Sequence, residues 1–141
     1  MNMQGNKELI AIVDDDESAR SAIYGVLRSV GLNPRSFSSA EEFLASGQQN
    51  EAACLITDVR MPGMSGLELQ GRLAGEGCRI PIIFVTAYGD ERVRALAMKG
   101  GAIVCLGKPF DDKVLLESVR SALAERIRKD QLGSLSTLMP S

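Results

Sequence analysis

The sequence contains no histidine in its 141 residues. Mechanisms that need an imidazole are therefore excluded, which removes the Cys-His dyads of nucleophilic catalysis and every metal site with a histidine ligand. Any chemistry that this chain performs must use carboxylates, hydroxyls and amines.

Cysteine is also scarce, and its three positions, Cys54, Cys78 and Cys105, are widely spaced. An odd number of separated cysteines argues against a disulfide framework or a thiolate zinc site. No apolar run approaches the roughly 18 residues of a membrane span, and residues 1–8 lack the apolar segment of a secretory signal. We therefore expect reduced thiols in a cytoplasmic protein that makes no membrane contact.

An excess of positive charge is absent as well, because 16 basic residues face 18 acidic ones and the net charge is -2. A sequence-independent grip on nucleic acid or on an anionic membrane needs a basic surface. The hydrophobic content of 45% suffices for the buried core of one domain. The composition predicts a single globular domain that does not bind nucleic acid directly.

Four short apolar runs, at residues 9–13, 54–56, 80–85 and 103–106, have the length of strands buried on both faces. Segments with helical periodicity separate them. A fifth strand is expected at residues 33–37, at an edge of the sheet, because Pro34 cannot donate a central ladder hydrogen bond. This alternation predicts a doubly wound α/β fold, in which helices cover both faces of a five-stranded parallel sheet.

Local signals mark the helix ends. Asp16 is the expected N-cap of the first helix, and Gly31 follows its end. S-x-x-E capping boxes at Ser39 and Ser65 begin the second and third helices near residues 40 and 66. The fourth helix is expected over residues 90–99 and the fifth over residues 111–129. The side chains of the fifth helix that should face the core are Leu115, Val119, Ala122, Leu123 and Ile127.

The domain is assigned to residues 8–129. Residues 1–7 are expected to form a polar N-terminal tail. Residues 130–141 lose the helical period and gain glycine, proline and serine, which predicts a flexible tail or the stump of an interdomain linker.

Polar residues follow four of the apolar runs: Asp14 and Asp15, then Asp58, Thr86 and Lys108. The carboxyl ends of parallel strands meet at one edge of a sheet, so these side chains should converge. Like charges about 4 Å apart repel by roughly 4 kcal/mol at an effective dielectric of 20, which a divalent cation would relieve. An all-oxygen site of this kind suits Mg²⁺ and a phosphate group.

Phosphoryl transfer is the chemistry that such a cluster favours. Asp58 would act as the nucleophile that forms an acyl phosphate, while Lys108 and Thr86 would contact phosphoryl oxygens, so these three are the candidate catalytic residues. No glycine motif for nucleotide binding is complete in the sequence, and we expect no organic cofactor.

Residues 9 to about 125 resemble the receiver domains of bacterial two-component response regulators. The resemblance lies in the motifs IVDDDESAR, LITDVRMPGMSGLEL, IIFVTAY and GKPF, and within the family the chain is most similar to FixJ-type regulators, which have a LuxR-type output domain. It implies the flavodoxin-like strand order 2-1-3-4-5, phosphorylation by a sensor histidine kinase, and control of transcription through an output domain.

The resemblance also implies roles for the acidic residues. Asp58 would be the phosphoacceptor, Asp15 a direct Mg²⁺ ligand and Asp14 the second acidic residue of the metal pocket. The backbone carbonyl of Arg60 would be the third protein ligand.

At the two remaining strand ends, Thr86 would be the switch hydroxyl, and Lys108, joined to Pro109 by a cis bond, would be the phosphate-sensing amine. One departure from the family is Cys105, which occupies the position where receivers usually carry Phe or Tyr. Tyr88 is a candidate to take part of the role of that aromatic ring.

Two properties of the family concern activity and assembly. A receiver catalyses its own phosphorylation and dephosphorylation, so we expect a signalling domain rather than a metabolic enzyme. A homodimer through the fourth helix, the last strand and the fifth helix is left open.

Two other functions are also left open. The first is a haloacid dehalogenase-like Mg²⁺-dependent phosphatase, whose D-x-D signature needs an aspartate where this chain has Arg60. The second is a pseudo-receiver that only binds partners, although such domains usually lack an acidic residue or the lysine.

Overall fold

The sheet is built from β1 (Leu9–Val13), β2 (Asn33–Phe37), β3 (Cys54–Asp58), β4 (Ile82–Thr86) and β5 (Val104–Gly107). This structure, a computed structural model, describes residues 8–87 and 91–138, with side chains described as far as Ile127. All neighbouring strands pair in parallel, in the order β2-β1-β3-β4-β5. The predicted fold class is confirmed, and β2 lies at an edge as Pro34 predicted.

The helices that alternate with the strands are α1 (Glu17–Ser29), α2 (Ala40–Ser46), α3 (Gly66–Gly75), α4 (Glu91–Lys99) and α5 (Asp112–Leu138). A 3₁₀ turn at Gln48–Asn50 was not predicted. The predicted N-terminal tail, residue 90 of the predicted fourth helix and Tyr88 lie outside the described residues.

Side-chain caps fix the beginnings of α1, α2 and α3. The Asp16 carboxylate accepts the backbone N–H of Ser18 at the start of α1, and the full capping box predicted at Ser65 is present. The box predicted at Ser39 is half wrong. Ser39 Oγ accepts the N–H of Glu42, but the Glu42 carboxylate accepts the N–H of Ser38 instead, one residue earlier.

The core has two layers because successive side chains of a strand point to opposite faces. The layer under α2, α3 and α4 contains Ala11 and Val13 of β1, whereas the layer under α1 and α5 contains Ile10 and Ile12. Burial of both faces explains why the central strands read as continuous apolar runs.

The end of α5 differs from the prediction. The helix continues past residue 129 to Leu138, and Ile127, expected to face the core, is 55% exposed. Its neighbour Arg126 pairs with Glu8, which immediately precedes β1, so the helix has reached the end of the sheet and no strand is left to cover Ile127. The assignment of residues 130–141 to a tail or linker stays a prediction.

In the described part of the chain, no helix combines the length and the apolar character that crossing a membrane requires. All three cysteines are free, and burial raises the pKa of the Cys54 thiol to about 12. Cys54 therefore behaves as a small apolar core residue.

Candidate functional site

Three of the polar residues at the strand ends form one ionic cluster. Lys108 Nζ lies 2.9 Å from Asp14 Oδ2 and 3.1 Å from Asp58 Oδ2. Asp14 follows β1, Asp58 ends β3 and Lys108 follows β5, so the sheet brings together residues that are far apart in the sequence. The expected convergence at the carboxyl edge is thus present in the structure.

Asp15 completes an acidic group that suits a metal ion. Asp14, Asp15 and Asp58 each offer a carboxylate oxygen, and these oxygens lie within 4.8 Å of one another. Asp14 and Asp58 are buried, whereas Asp15 is exposed and leaves room for water and phosphate oxygens. The donor set is all oxygen and strongly anionic, so the residues fit Mg²⁺.

The Asp14 carboxylate is completely buried and held on both sides. Its Oδ1 accepts the N–H of Asp16 at 2.9 Å, and its Oδ2 accepts the Lys108 ammonium. The Arg20 guanidinium also donates to the backbone carbonyl of Asp14 at 2.7 Å. Asp14 is therefore fixed in place, which suits a residue that orients the pocket.

The surroundings of Asp58 raise the pKa of its carboxyl group. Burial raises the pKa of its carboxyl group, and neighbouring Asp14 adds to this, although hydrogen bonding and attraction from Lys108 act in the opposite direction. A more basic carboxylate is a stronger nucleophile once it is ionised. Burial opposes the charged form of Lys108, but the hydrogen bonds and charges of Asp14 and Asp58 outweigh it and raise the pKa of the ammonium.

The loop between β3 and α3 returns close to Asp58. The N–H of Gly66 donates to the Val59 carbonyl at 2.8 Å. A Cβ atom at Gly66 would collide with the carbonyl oxygen of Asp58 and lie 3.0 Å from the Phe84 ring, so only glycine fits there. The N–H of Arg60 faces Asp58 Oδ1 at 3.4 Å, while the role of the Arg60 carbonyl as a metal ligand stays a prediction.

The other edge of the site contains Thr86 and Lys108. Thr86 is buried at the end of β4, and its carbonyl accepts the N–H of Lys108 at 2.7 Å. The bond between Lys108 and Pro109 is cis, as the resemblance implied. Cys105 is buried, and the Arg94 guanidinium of α4 donates to its carbonyl at 2.6 Å.

Sequence analysis missed three side chains that support the site: Arg20, Glu41 and Arg94. Each bonds to a backbone group, namely the carbonyls of Asp14 and Cys105 for the arginines and the N–H of Met64 for Glu41. Every residue has a backbone carbonyl and every residue except proline has a backbone N–H, so the partner of such a side chain leaves no mark in the sequence.

Comparison with known proteins identifies the family. Residues 10–120 match the response regulator receiver domain. The chain is 46% identical over 123 residues to nodulation protein W of Bradyrhizobium diazoefficiens, a match that covers 87% of this chain and 54% of that protein. It is 39% identical over 128 residues to the transcriptional regulatory protein FixJ of Azorhizobium caulinodans, covering 89% of this chain and 61% of FixJ.

The solved structure of the response regulator StyR is similar as well, with a TM-score of 0.85 and 39% identity over 93% of this chain and 66% of that one. The chain thus spans little more than half the length of the two sequence relatives. The fold, the acidic pocket and the sequence comparisons all indicate the same family. The chain belongs to the response regulator receiver family.

Proposed function

We propose that Asp58 accepts a phosphoryl group from a sensor histidine kinase in a Mg²⁺-dependent reaction, and that phosphorylation changes which partners the domain binds. The observation that carries this proposal is the contact of Lys108 with both Asp14 and Asp58 beside the exposed carboxylate of Asp15. One pocket therefore offers a nucleophile, an amine for phosphoryl oxygens and oxygen ligands for a cation.

The transfer itself is an in-line displacement. A carboxylate oxygen of Asp58 attacks the phosphorus of the phosphohistidine, so an O–P bond forms while the N–P bond breaks and its electron pair leaves on the imidazole nitrogen. Lys108 would pair with a phosphoryl oxygen, and the Thr86 hydroxyl at the neighbouring strand end would donate to another. Mg²⁺ held by Asp14, Asp15, Asp58 and the Arg60 carbonyl would neutralise charge on the transferred group.

Mass spectrometry after incubation with acetyl phosphate and Mg²⁺ tests the acceptor. We expect one added phosphoryl group on the wild type and none on Asp58→Asn. Asp16→Asn is the matched control, because Asp16 belongs to the same acidic run but caps α1, and asparagine caps helices equally well. Labelling of Asp58→Asn at the wild-type level would place the acceptor elsewhere. An unlabelled wild type would favour the pseudo-receiver alternative.

The output is proposed from the surface and from the relatives. The name of FixJ describes a transcriptional regulatory protein, and we propose that this receiver also controls transcription through an output domain. Leu96 and Met98 of α4 and Val114 of α5 are exposed, which suits pairing of two copies through α4, β5 and α5. Sedimentation with and without beryllofluoride, a phosphoryl mimic, should show more dimer in its presence.

The path from the site to that surface is proposed to run through backbone movement of the β4–α4 loop. Cys105 is too small to fill the space of an aromatic ring, so Cys105→Ala should leave both phosphorylation and the sedimentation response nearly intact. Loss of the response with Asp58 still reactive would show that the thiol position carries the signal.

A further inference from the structure

The loop between β3 and α3, residues 59–65, carries the Arg60 carbonyl that the proposed function uses as a metal ligand. At its start, the N–H of Arg60 faces Asp58 Oδ1 at 3.4 Å. At its end, Ser65 and Glu68 form the capping box of α3. The middle of the loop is held by a side chain from a different helix.

That side chain is Glu41, in the first turn of α2. Its Oε2 accepts the backbone N–H of Met64 at 2.8 Å, across 23 residues of sequence. A Cβ atom at Gly63 would lie 2.6 Å from the same oxygen and would displace the Glu41 carboxylate, and the φ of +74° at Gly63 independently favours glycine. Hydrogen bonds to an ionised carboxylate are stronger than neutral ones.

The adjacent Glu42 has a different role. Its carboxylate accepts the N–H of Ser38 at 2.6 Å and the Ser38 hydroxyl at 2.9 Å, so it stabilises the start of α2. The two neighbouring glutamates thus have different roles. Glu42 stabilises the start of its own helix, and Glu41 holds the loop beside the acidic pocket.

We propose that Glu41 is a positioning residue for the metal-dependent phosphorylation of this domain, an inference that rests on the proposed function. By fixing the backbone of Met64, Glu41 restricts the β3–α3 loop, which also carries the Arg60 carbonyl. The loop supplies a metal ligand but no reacting atom. Loss of Glu41 should therefore weaken Mg²⁺ binding and leave the rate of phosphorylation at saturating Mg²⁺ unchanged.

Variants of Glu41 are expected to fold, because the loop has other anchors. Met61 is buried in the core layer under α2, α3 and α4, and Met64 packs against the same layer. The N–H of Gly66 also bonds to Val59 at the base of the loop. Removal of Glu41 should therefore loosen the backbone at Met64, while the Met61 and Met64 side chains keep the loop against the core.

Titration calorimetry with MgCl₂ alone is the direct test. Glu41→Ala should raise the dissociation constant of Mg²⁺ about tenfold, the lower end of the range for groups that orient metal ligands. Glu41→Gln keeps a carbonyl acceptor and should bind Mg²⁺ nearly as well as the wild type. Glu42→Ala is the matched control, and it should lower the melting temperature without changing the dissociation constant.

A second measurement needs no metal. In nitrogen-15 NMR spectra of the Mg²⁺-free protein, the Met64 amide should exchange with solvent faster in Glu41→Ala than in the wild type, and at the wild-type rate in Glu42→Ala.

Phosphorylation of Glu41→Ala by acetyl phosphate over a range of Mg²⁺ concentrations should show a raised half-saturating Mg²⁺ concentration and the same maximal rate as the wild type.

Unchanged Mg²⁺ affinity in Glu41→Ala would overturn the proposal, as would an equal loss of affinity in Glu42→Ala, which would trace the effect to α2 as a whole. A lower maximal rate with unchanged affinity would also overturn it. If the wild type bound no Mg²⁺, or if Asp58→Asn were still labelled, the proposed function itself would fail and this inference would fall with it.

Discussion

The two ends of the sheet each carry an ion pair, and the pairs differ in burial. At the carboxyl end, Lys108 contacts Asp14 and Asp58, whose side chains are 0% and 11% exposed. At the amino end, Arg126 contacts Glu8 at 3.3 Å, with side chains 35% and 40% exposed. Each cation comes from α5 or the end of the strand before it and reaches a carboxylate at an end of β1 or β3, but Lys108 contacts two buried carboxylates, whereas Arg126 contacts the half-exposed Glu8.

Burial makes the charges at the carboxyl end depend on one another. Removing a charge from water costs several kcal/mol, and only the partner charges and hydrogen bonds offset that cost. An exposed pair keeps its hydration, gains little from contact and loses little when broken. A cluster whose stability depends on every member is costly for the fold, and its retention at the edge where ligands bind is typical of a functional site.

The largest effect is expected from Lys108→Met. This change leaves the buried carboxylates of Asp14 and Asp58 facing each other without a cation, so the free energy of unfolding should fall by about 3 kcal/mol in the absence of Mg²⁺. Urea denaturation measures it, with the exposed Lys113→Met as the control for loss of one positive charge. If both variants lost the same free energy of unfolding, the charge of Lys108 would contribute no more to stability than an exposed lysine does.

Addition of Mg²⁺ should stabilise the folded protein through the carboxyl-end cluster and not through the amino-end pair. At 100 times its dissociation constant, Mg²⁺ should raise the free energy of unfolding by about 2.7 kcal/mol through mass action. Asp15→Asn should lose most of this gain. Glu8→Gln removes a carboxylate at the amino end and should keep it.

Thermal unfolding over a range of Mg²⁺ concentrations gives these values. Mg²⁺-dependent melting that is unchanged in Asp15→Asn would contradict the metal site. If Glu8→Gln also lost this gain, Mg²⁺ would be stabilising the protein through surface carboxylates in general.

The fold was predictable because it rests on patterns that are local in sequence. Each buried strand is an apolar run that ends in a polar residue, and parallel strands bring those ends to one edge, so the convergence of Asp14, Asp58 and Lys108 was predictable. Pro34 likewise identified the edge strand. One local detail was wrong at Glu42, whose carboxylate accepts the N–H of Ser38 rather than that of Ser39.

The supporting contacts of the site could not be predicted in this way. Glu41 and Arg94 bond to backbone groups of Met64 and Cys105 in distant segments. Which backbone group a long side chain reaches depends on packing angles between helices and sheet, and these are set by the whole core. The prediction that Ile127 faces the core was wrong for a related reason, because the helical periodicity continues past the point where the sheet ends.

Alkaline titration should show that the charge of Lys108 stabilises the carboxyl end. The folded-state pKa of Lys108 is raised above 10.5, so the stability that its charge contributes is fully present below pH 10.5 and is lost as the pH rises through the folded value. The difference in unfolding free energy between the wild type and Lys108→Met should therefore be constant from neutral pH to about pH 10 and shrink above it.

Urea midpoints of the two proteins at several pH values test this expectation. Taking the difference removes the contributions of tyrosine and cysteine groups that titrate in the same range. A difference that shrinks well below pH 10.5 would mean that the pKa of Lys108 is lowered by burial and that Asp14 and Asp58 do not compensate for it.

The smallest effect is expected from Arg126→Met at the amino end. Because both partners of the Arg126 and Glu8 pair keep much of their hydration, its loss should lower the free energy of unfolding by about 0.5 kcal/mol at low ionic strength. In 1 M NaCl the screening length falls to about 3 Å, and the difference from the wild type should vanish. Urea denaturation at both salt concentrations measures it, with exposed Arg120→Met on the same helix as the control for net charge. A loss above about 2 kcal/mol that persisted in 1 M NaCl would exceed what an exposed pair contributes. The amino-end pair would then be as strongly coupled to the fold as the carboxyl-end cluster, and burial would no longer explain the difference between the two ends.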